Sequence, residues 1–329
     1  MDGAVRLLNQ RDIAMLMSPS DYLAAVESGF RATNEGRASS PAPLYLAAEN
    51  GGFHAKGALI ENERSAYAVL KFNGNFPANI DQPTIQGLIL LSDARTGAPL
   101  AIMDSIEVTL RRTAAASALA ARHLARQDSA SIAFCGCGAQ AWAHLEAFAD
   151  LFSLLEGAAW DGDHGKAAAF AFQAREAFGV EMRTARAPGN ATSHADIIIT
   201  ATSASAPFLD VADVPVGAFI AAVGADAPHK NEIAPALMAR ACVYADVLAQ
   251  CVVMGDLRHA IAAGAMARED VRGDLAALVS GRCARRERAD EITLFDSTGT
   301  AIEDAASAAL IFERALERGL GADIKFAGV

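Results

Sequence analysis

A lysine inside an apolar run is the first residue here that needs a chemical reason. Ala66-Tyr-Ala-Val-Leu-Lys71-Phe72 otherwise reads as a buried strand, and an ammonium buried there without a partner is strongly destabilising. Burial would lower its pKa and suit it to proton transfer; the competing reading is a strand-end lysine that snorkels to water. Asp226 follows the apolar run 218–223 through Gly224-Ala225. That is where the carboxyl end of a parallel strand would lie, the edge at which such sheets bind ligands. An acid there can act as general base toward an amine or water, or pair with Lys71 and titrate with it as a couple. Otherwise it is a turn aspartate ahead of Pro228. Arg111 and Arg112 open an Ala-rich stretch, and a guanidinium fork suits bidentate binding of a carboxylate.

A second constellation lies in Ser131-Ile-Ala-Phe-Cys-Gly-Cys-Gly-Ala-Gln-Ala141. A short apolar strand stops at Gly136-Cys137-Gly138, and a helix begins at once with Ala139-Gln140. This is the G-x-G-x-x-A turn of a dinucleotide-binding βαβ unit: one glycine for the tight turn, one for close approach of a pyrophosphate, a small residue for helix–strand packing. Ordinary glycine turns share the pattern, so its context matters. After a strand at 157–160 comes Asp161, at a spacing of 161 − 138 = 23 residues from Gly138. The acid that binds a ribose 2′-OH is expected after about 20 residues. No Arg or Lys occurs from 161 to 165 to meet a 2′-phosphate. NAD(H) is therefore favoured, with NADP(H) left open; Asp161 and Asp163 as simple helix caps fit either case.

These groups must be held by two kinds of architecture. A helix is expected over 19–35, after the Ser18-Pro19 start signal. Strands at 44–48, 52–59, 67–73, 84–92 and 99–104, parted by turn signals, predict an antiparallel or mixed sheet. An Ala-rich helix at 106–125 would carry the chain onward. From about 130 strands alternate with helices (131–135, 157–160, 180–183, 196–200, 217–223, 242–246, 292–295), which predicts a doubly wound parallel sheet. A last helix at 301–319 would return to the first domain. The 329 residues, 52 % of them hydrophobic, allow two ordinary domains.

A net charge of −11 with no basic stripe argues against nucleic-acid or anionic-membrane partners. The one basic cluster, Arg282 to Arg288, reads as a solvated turn. No apolar run is long enough for a membrane span, the first residues lack a signal-peptide layout, and five cysteines without a C-x-x-C pair fit reduced cytoplasmic thiols. Cys135 and Cys137 read as small filler residues, and no metal site is expected.

The chain resembles the ornithine cyclodeaminase/mu-crystallin family. The resemblance rests on Leu70-Lys71-Phe-Asn, Pro83-Thr84-Ile-Gln-Gly87, Leu110-Arg-Arg-Thr-Ala-Ala-Ala116, Gly136-Cys-Gly-Ala-Gln140, Val223-Gly-Ala-Asp-Ala-Pro228 and Asp296-Ser-Thr-Gly299, in that order. Gly136-Cys-Gly and the ending Ile324-Lys-Phe326 point toward its alanine-dehydrogenase and ketimine-reductase branch. The resemblance implies an α/β protein: a doubly wound Rossmann domain (123–299) plus an α+β substrate-binding and dimerisation domain built from 1–122 and 300–329, pairing into a homodimer. It implies hydride transfer at the α-carbon of a small amino or imino acid. Lys71 would handle a proton against the substrate, Arg112 would bind its carboxylate, Thr84 would donate one hydrogen bond, and Asp226 would face the nicotinamide. Thr200 and Thr202 at a strand end, with Val223 and Gly224, are further expected cofactor contacts; turn-forming roles compete for all four.

Departures from the family pattern bear on substrate. Many relatives carry a basic residue where this chain has Pro43-Leu44, and no Arg or Lys occurs between Arg37 and Lys56. The next pocket position, an arginine in the alanine-dehydrogenase branch and an acid in cyclodeaminases, aligns with His54. Lys56 shares its strand face. His54 and Lys56 are expected to supply the missing cation for a carboxylate, the competing reading being two residues at a strand edge. The preferred function is an NAD(H)-dependent imine reductase or amino-acid dehydrogenase. Ornithine cyclodeaminase, which returns its hydride within one turnover, is the second reading. A mu-crystallin-like cofactor-binding protein with little turnover is the third.

Overall fold

The computed structural model describes residues 3–62, 64–76 and 78–325; Phe326 of the family-like ending lies outside them. The chain divides into two compact units, residues 1–112 with 300–329, and residues 113–299. The division falls inside the helix Ser105–Leu124, ten residues before the expected boundary at 122/123. A continuous helix carries no break in hydrophobic pattern to mark where it leaves one unit for the other.

The first unit is built on a mixed sheet in the order Ala322–Lys325, Ala4–Leu8, Pro99–Asp104, Ile85–Asp93, Ala66–Asn75, Gly51–Glu61, Ala38–Ser39. Leu44–Ala48 also pairs with Gly51–Glu61. All neighbours run antiparallel except Ala4–Leu8 beside Pro99–Asp104. Period-two burial in Gly51–Glu61 and Ala66–Asn75 sends Lys56, Ala58 and Ile60, with Val69, Lys71 and Asn73, to the covered face. The helix Pro19–Asn34 starts where Ser18 caps it, with Asp21 N donating to Ser18 Oγ and Ser18 N donating to the Asp21 carboxylate. The helix Ala301–Arg318 packs against it where Gly29 meets Ala306, and against the sheet through the edge-on Tyr67–Phe312 ring pair. The other sheet face keeps Leu59, Leu70, Phe72, Leu88 and Leu90 substantially exposed.

The second unit holds a wholly parallel eight-stranded sheet, in the order Glu181–Thr184, Glu156–Trp160, Ser131–Cys135, Ile197–Thr200, Phe219–Ala222, Thr293–Asp296, Cys242–Ala245, Gly273–Asp274. Strands such as Ile-Ile-Ile-Thr200 are buried on both faces, as helices on either side of a parallel sheet require. The strand order reverses direction between Ser131–Cys135 and Ile197–Thr200. That reversal is the switch point at which doubly wound sheets open a crevice beyond their carboxyl ends.

The basic cluster 282–288 is not simply the solvated turn expected. Arg286 is partly buried: its Nε donates to Leu124 O at 2.6 Å, and its NH2 to Ala218 O at 3.1 Å and Thr293 Oγ1 at 2.9 Å. NH1 reaches Glu291 O. It fastens the end of the long helix to two strands, a role invisible in a run of charged residues. Arg286→Met should lower stability by about 2–4 kcal/mol in urea unfolding, since several buried carbonyls lose their donor. Arg282→Ala, on the exposed part of the same segment, should stay within about 0.5 kcal/mol of wild type.

Candidate active site

Two sets of polar groups stand out, one in each unit. In the first, Lys71 is 3 % exposed. Its Nζ lies 2.8 Å from Asp304 Oδ1 and 2.7 Å from Oδ2, and 3.4 Å from Thr109 Oγ1. Arg112, equally buried, donates from Nε to Asp304 Oδ1 at 2.9 Å and from NH1 to Glu303 Oε2 at 2.6 Å. Glu303 is held in turn by the cap of its helix: its N–H donates to Thr300 Oγ1, and Thr300 N donates to Glu303 Oε1. Both acids sit in a helix first turn, where the dipole favours negative charge. Lys56, opposite Lys71 in the strand register, is 9 % exposed.

Three cations thus share this face with two carboxylates. Burial is the largest influence on Lys71 and lowers its pKa; Arg112 and Lys56 add to the lowering and Asp304 opposes it, leaving it at about 7. Burial alone would raise the Asp304 carboxyl, but Arg112 and Lys71 outweigh it and hold it below the usual carboxylate range. For Arg112 the two carboxylates likewise outweigh burial and push its pKa up. Asn73, also buried, presents an Oδ1 that accepts from no described group. Its cross-strand neighbour must be glycine, because a Cβ on Gly87 would fall 2.1 Å from that oxygen.

His54 faces Asn73 and Tyr45 in the register, with its ring 4.8 Å from that of Tyr45. His54 has a strand partner on each side, whereas Lys56 is paired only with Lys71, because the register with Leu44–Ala48 ends at Ala55 and that with Ala38–Ser39 begins at Leu59. Thr84 is exposed just ahead of the strand Ile85–Asp93, and its carbonyl accepts from Phe76 N.

In the second unit, Gly136 ends its strand with φ 92°, and a Cβ there would lie 2.5 Å from Ala201 O. Gly138 precedes the helix Ala139–Ala149, which has no side-chain cap and no acid in its first turn. A Cβ on Gly138 would meet nothing within 4 Å. An open approach to uncapped N–H groups fits a pyrophosphate. Asp161 is no helix cap: its Oδ2 accepts from Cys137 N at 2.8 Å and its Oδ1 from Asp163 N at 2.8 Å, while Asp163 caps the next helix. Each Asp161 oxygen keeps acceptor capacity for a ribose hydroxyl. Burial first, and then the nearby Asp161 carboxylate, raise the Cys137 thiol to about 12.

Asp226 Oδ1 accepts from Lys230 Nζ at 2.6 Å. Lys71 therefore finds Asp304, and Asp226 finds Lys230, each within its own unit. Thr200 is fully buried, with its hydroxyl donating to Glu232 and its carbonyl accepting from Val223 N, so it holds strand ends together, the competing role that the sequence left open. Val223 and Gly224 are buried as well, Gly224 N donating to Glu232 Oε2. Thr202, at a less buried position, also donates to Glu232. Sequence reading missed Glu303, Asp304, Asn73, Lys230 and Glu232. Two adjacent acids inside Ala301-Ile-Glu-Asp-Ala-Ala306 were a legible signal, since a helix so apolar buries them and they then need cations.

Residues 4–319 match the ornithine cyclodeaminase/mu-crystallin family. The chain belongs to that family. Among its members, the alanine dehydrogenase of Archaeoglobus fulgidus is 35 % identical over 322 residues, spanning 97 % of this chain and 98 % of that one. A solved archaeal alanine dehydrogenase dimer with bound NAD superimposes with TM-score 0.93 at 34 % identity, over 98 % of this chain and 100 % of that one. The Thermococcus litoralis Δ1-pyrroline-2-carboxylate reductase, solved with NADH and L-proline, gives TM-score 0.93 at 30 % identity, over 97 % and 100 %. The parallel-sheet unit is the Rossmann-like part of this family fold.

Lys71 predicts a measurable linkage. Its pKa of about 7 lies below the ordinary 10.5, so between these values the unfolded chain binds more protons and stability rises with pH. Its stabilising contribution is full above 10.5 and is lost as pH falls through 7. In urea unfolding, Lys71→Met should gain most over wild type below pH 7, with the difference shrinking toward pH 10. A difference independent of pH would contradict the depressed lysine.

Proposed function

We propose that this chain is an NAD(H)-dependent oxidoreductase acting on the C–N bond at the α-carbon of a small amino or imino acid, as an imine reductase or alanine-dehydrogenase-like enzyme. The observation that carries the reading is the gathering of three buried cationic side chains, Lys71, Arg112 and Lys56, on one sheet face, which suits an α-carboxylate. The NAD of the archaeal alanine dehydrogenase, and the NADH and L-proline of the Thermococcus enzyme, support the cofactor and the substrate class.

The dinucleotide would lie on Gly136, Cys137, Gly138, Ala139 and Gln140, with its ribose on Asp161, and when bound it supplies the hydride. The side chains do the rest. Arg112 and Lys56 set the positive field that draws the carboxylate, with Arg112 held rigid by Glu303 and Asp304. Burial and, after it, Arg112 and Lys56 depress Lys71; an arriving carboxylate opposes both, so Lys71 takes up a proton as substrate binds and holds it for the imine nitrogen. Asp226 stabilises cationic character at that nitrogen. Placement and field account for most of the protein's share.

A cyclodeaminase would also have to recognise a distal ammonium. The strand positions beside Lys71 hold Lys56, His54 and Asn73, with no acid among them. The enzyme should therefore consume NADH stoichiometrically with 1-pyrroline-2-carboxylate, or with 2-oxo acids plus ammonia or methylamine. Lys71→Ala should lower kcat at least 100-fold while leaving NADH binding within about threefold. Release of ammonia from L-ornithine without net NADH change would favour the cyclodeaminase instead. NADH binding without turnover of any of these, in wild type as in the variant, would favour a binding protein.

The archaeal alanine dehydrogenase dimer supports a homodimer, and we propose the exposed sheet face as its interface. There Leu70 lies between Gly57 and Leu90 in the register, and Phe72 between Ala55 and Leu88. These apolar side chains form one continuous patch of the kind that marks an interface. Phe72→Glu with Leu88→Arg should shift the species seen by light scattering from dimer to monomer. An unchanged mass would place the interface elsewhere.

A further inference from the structure

Glu232 is a buried acid at the carboxyl edge of the parallel sheet, and among the described residues its carboxylate is held by hydroxyl and backbone N–H donors with no cation. It is fully buried. Oε1 accepts from Thr202 N at 2.6 Å and Thr202 Oγ1 at 2.7 Å. Oε2 accepts from Thr200 Oγ1 at 2.6 Å and Gly224 N at 2.8 Å. Four donors fill the acceptor capacity of one carboxylate. They come from the last residue of the strand Ile197–Thr200 and from Thr202 and Gly224, just beyond the ends of that strand and its neighbour Phe219–Ala222.

The main chain of Glu232 is anchored too: its N–H donates to Asp256 Oδ1 at 2.7 Å, and its carbonyl accepts from Phe208 N and Leu209 N. Two residues beyond Gly224 stands Asp226, whose N–H donates to Gly224 O. Two residues before Glu232 stands Lys230, which holds the Asp226 carboxylate. The loop carrying Asp226 is thus closed at both ends by one side chain that never reaches its surface.

We propose that Glu232 is a positioning residue for the reaction: its carboxylate clamps the loops bearing Thr202 and Asp226 in the geometry that receives the nicotinamide half of the dinucleotide. This rests on the dinucleotide reading above. Glu232 touches no ligand itself, and it acts through backbone N–H groups that no other described side chain is seen to hold. Misplacing a catalytic loop by about 1 Å can lower a rate about 100-fold.

The test compares three variants of the full chain by NADH titration (fluorescence), by turnover of 1-pyrroline-2-carboxylate and by thermal unfolding. Glu232→Gln keeps the shape but turns an NH2 toward a donor, so at least one clamp bond is lost. It should raise the Kd and KM for NADH about tenfold and lower kcat about 50-fold. Asp256→Asn alters the neighbouring buried acid but keeps an Oδ1 to accept from Glu232 N, and it makes no bond to Thr202 or Gly224. It should change the melting temperature yet bind NADH within about twofold of wild type. Thr200→Val removes one donor from a fully buried position and should raise the NADH Kd about threefold, which decides the matter if Glu232→Gln does not fold. Wild-type-like NADH binding and turnover in Glu232→Gln, or in Thr200→Val where that variant decides, would overturn the proposal. So would losses in Asp256→Asn that parallel those in Glu232→Gln, since both would then report general packing. A wild type that binds no NADH would instead sink the dinucleotide reading, and this role with it.

Discussion

The substrate half of the molecule depends on one electrostatic imbalance. Lys71, Lys56 and Arg112 are gathered on a buried face whose carboxylates are Glu303 and Asp304. Ions taken out of water need close partners, and the two acids satisfy Arg112 and most of Lys71. Burial, with Arg112 and Lys56 nearby, still disfavours the charged form of Lys71, and this eases in two ways: Lys71 gives up its proton, or an anion arrives. Its pKa of about 7 shows the first route nearly open at neutral pH. The second would return the proton to Lys71 at the moment an acid substrate is present.

That imbalance exists only because distant segments meet. Lys71 belongs to a central strand, Arg112 to the first turns of a long helix, and the acids to a helix that begins nearly two hundred residues later. The helix Ala301–Arg318 has two faces with separate duties. Its first turn supplies charge; its later turns supply the alanines and aromatic contact that seat it on Pro19–Asn34 and the sheet. Packing there fixes where Asp304 stands relative to Lys71, so the site's geometry is inherited from an apolar interface. The nucleotide half works differently: backbone N–H groups at strand ends are the functional groups, and carboxylates such as the buried Glu232 and the half-buried Asp161 hold them in place.

Much of this was legible in the chain, for definable reasons. The parallel strands announced themselves as short apolar runs between helical stretches, and the glycine turn with its downstream acid marked the carboxyl edge. Lys71 was conspicuous because a charge in an apolar strand contradicts its surroundings. The strands Ala4–Leu8 and Ala322–Lys325 were not foreseen. They pair with each other, and a short strand that gains its partner from the opposite chain end leaves little local pattern. Asp304 and Lys230 as partners of Lys71 and Asp226 went unseen for a related reason: spacing along a sequence tells which residues share a face, not which charged group arrives opposite. Thr200 looked like a ligand contact because strand-end threonines commonly are, whereas Glu232 claims its hydroxyl.

The central claim concerns a proton that moves when a carboxylate binds. Calorimetric titration of NADH-loaded enzyme with pyrrole-2-carboxylate, a non-reducible mimic, in buffers of differing ionisation enthalpy at pH 8 measures that proton directly. Uptake approaching one proton per site, abolished in Lys71→Met, is the predicted result. Binding with no net uptake, or with the same uptake in Lys71→Met, would contradict the account.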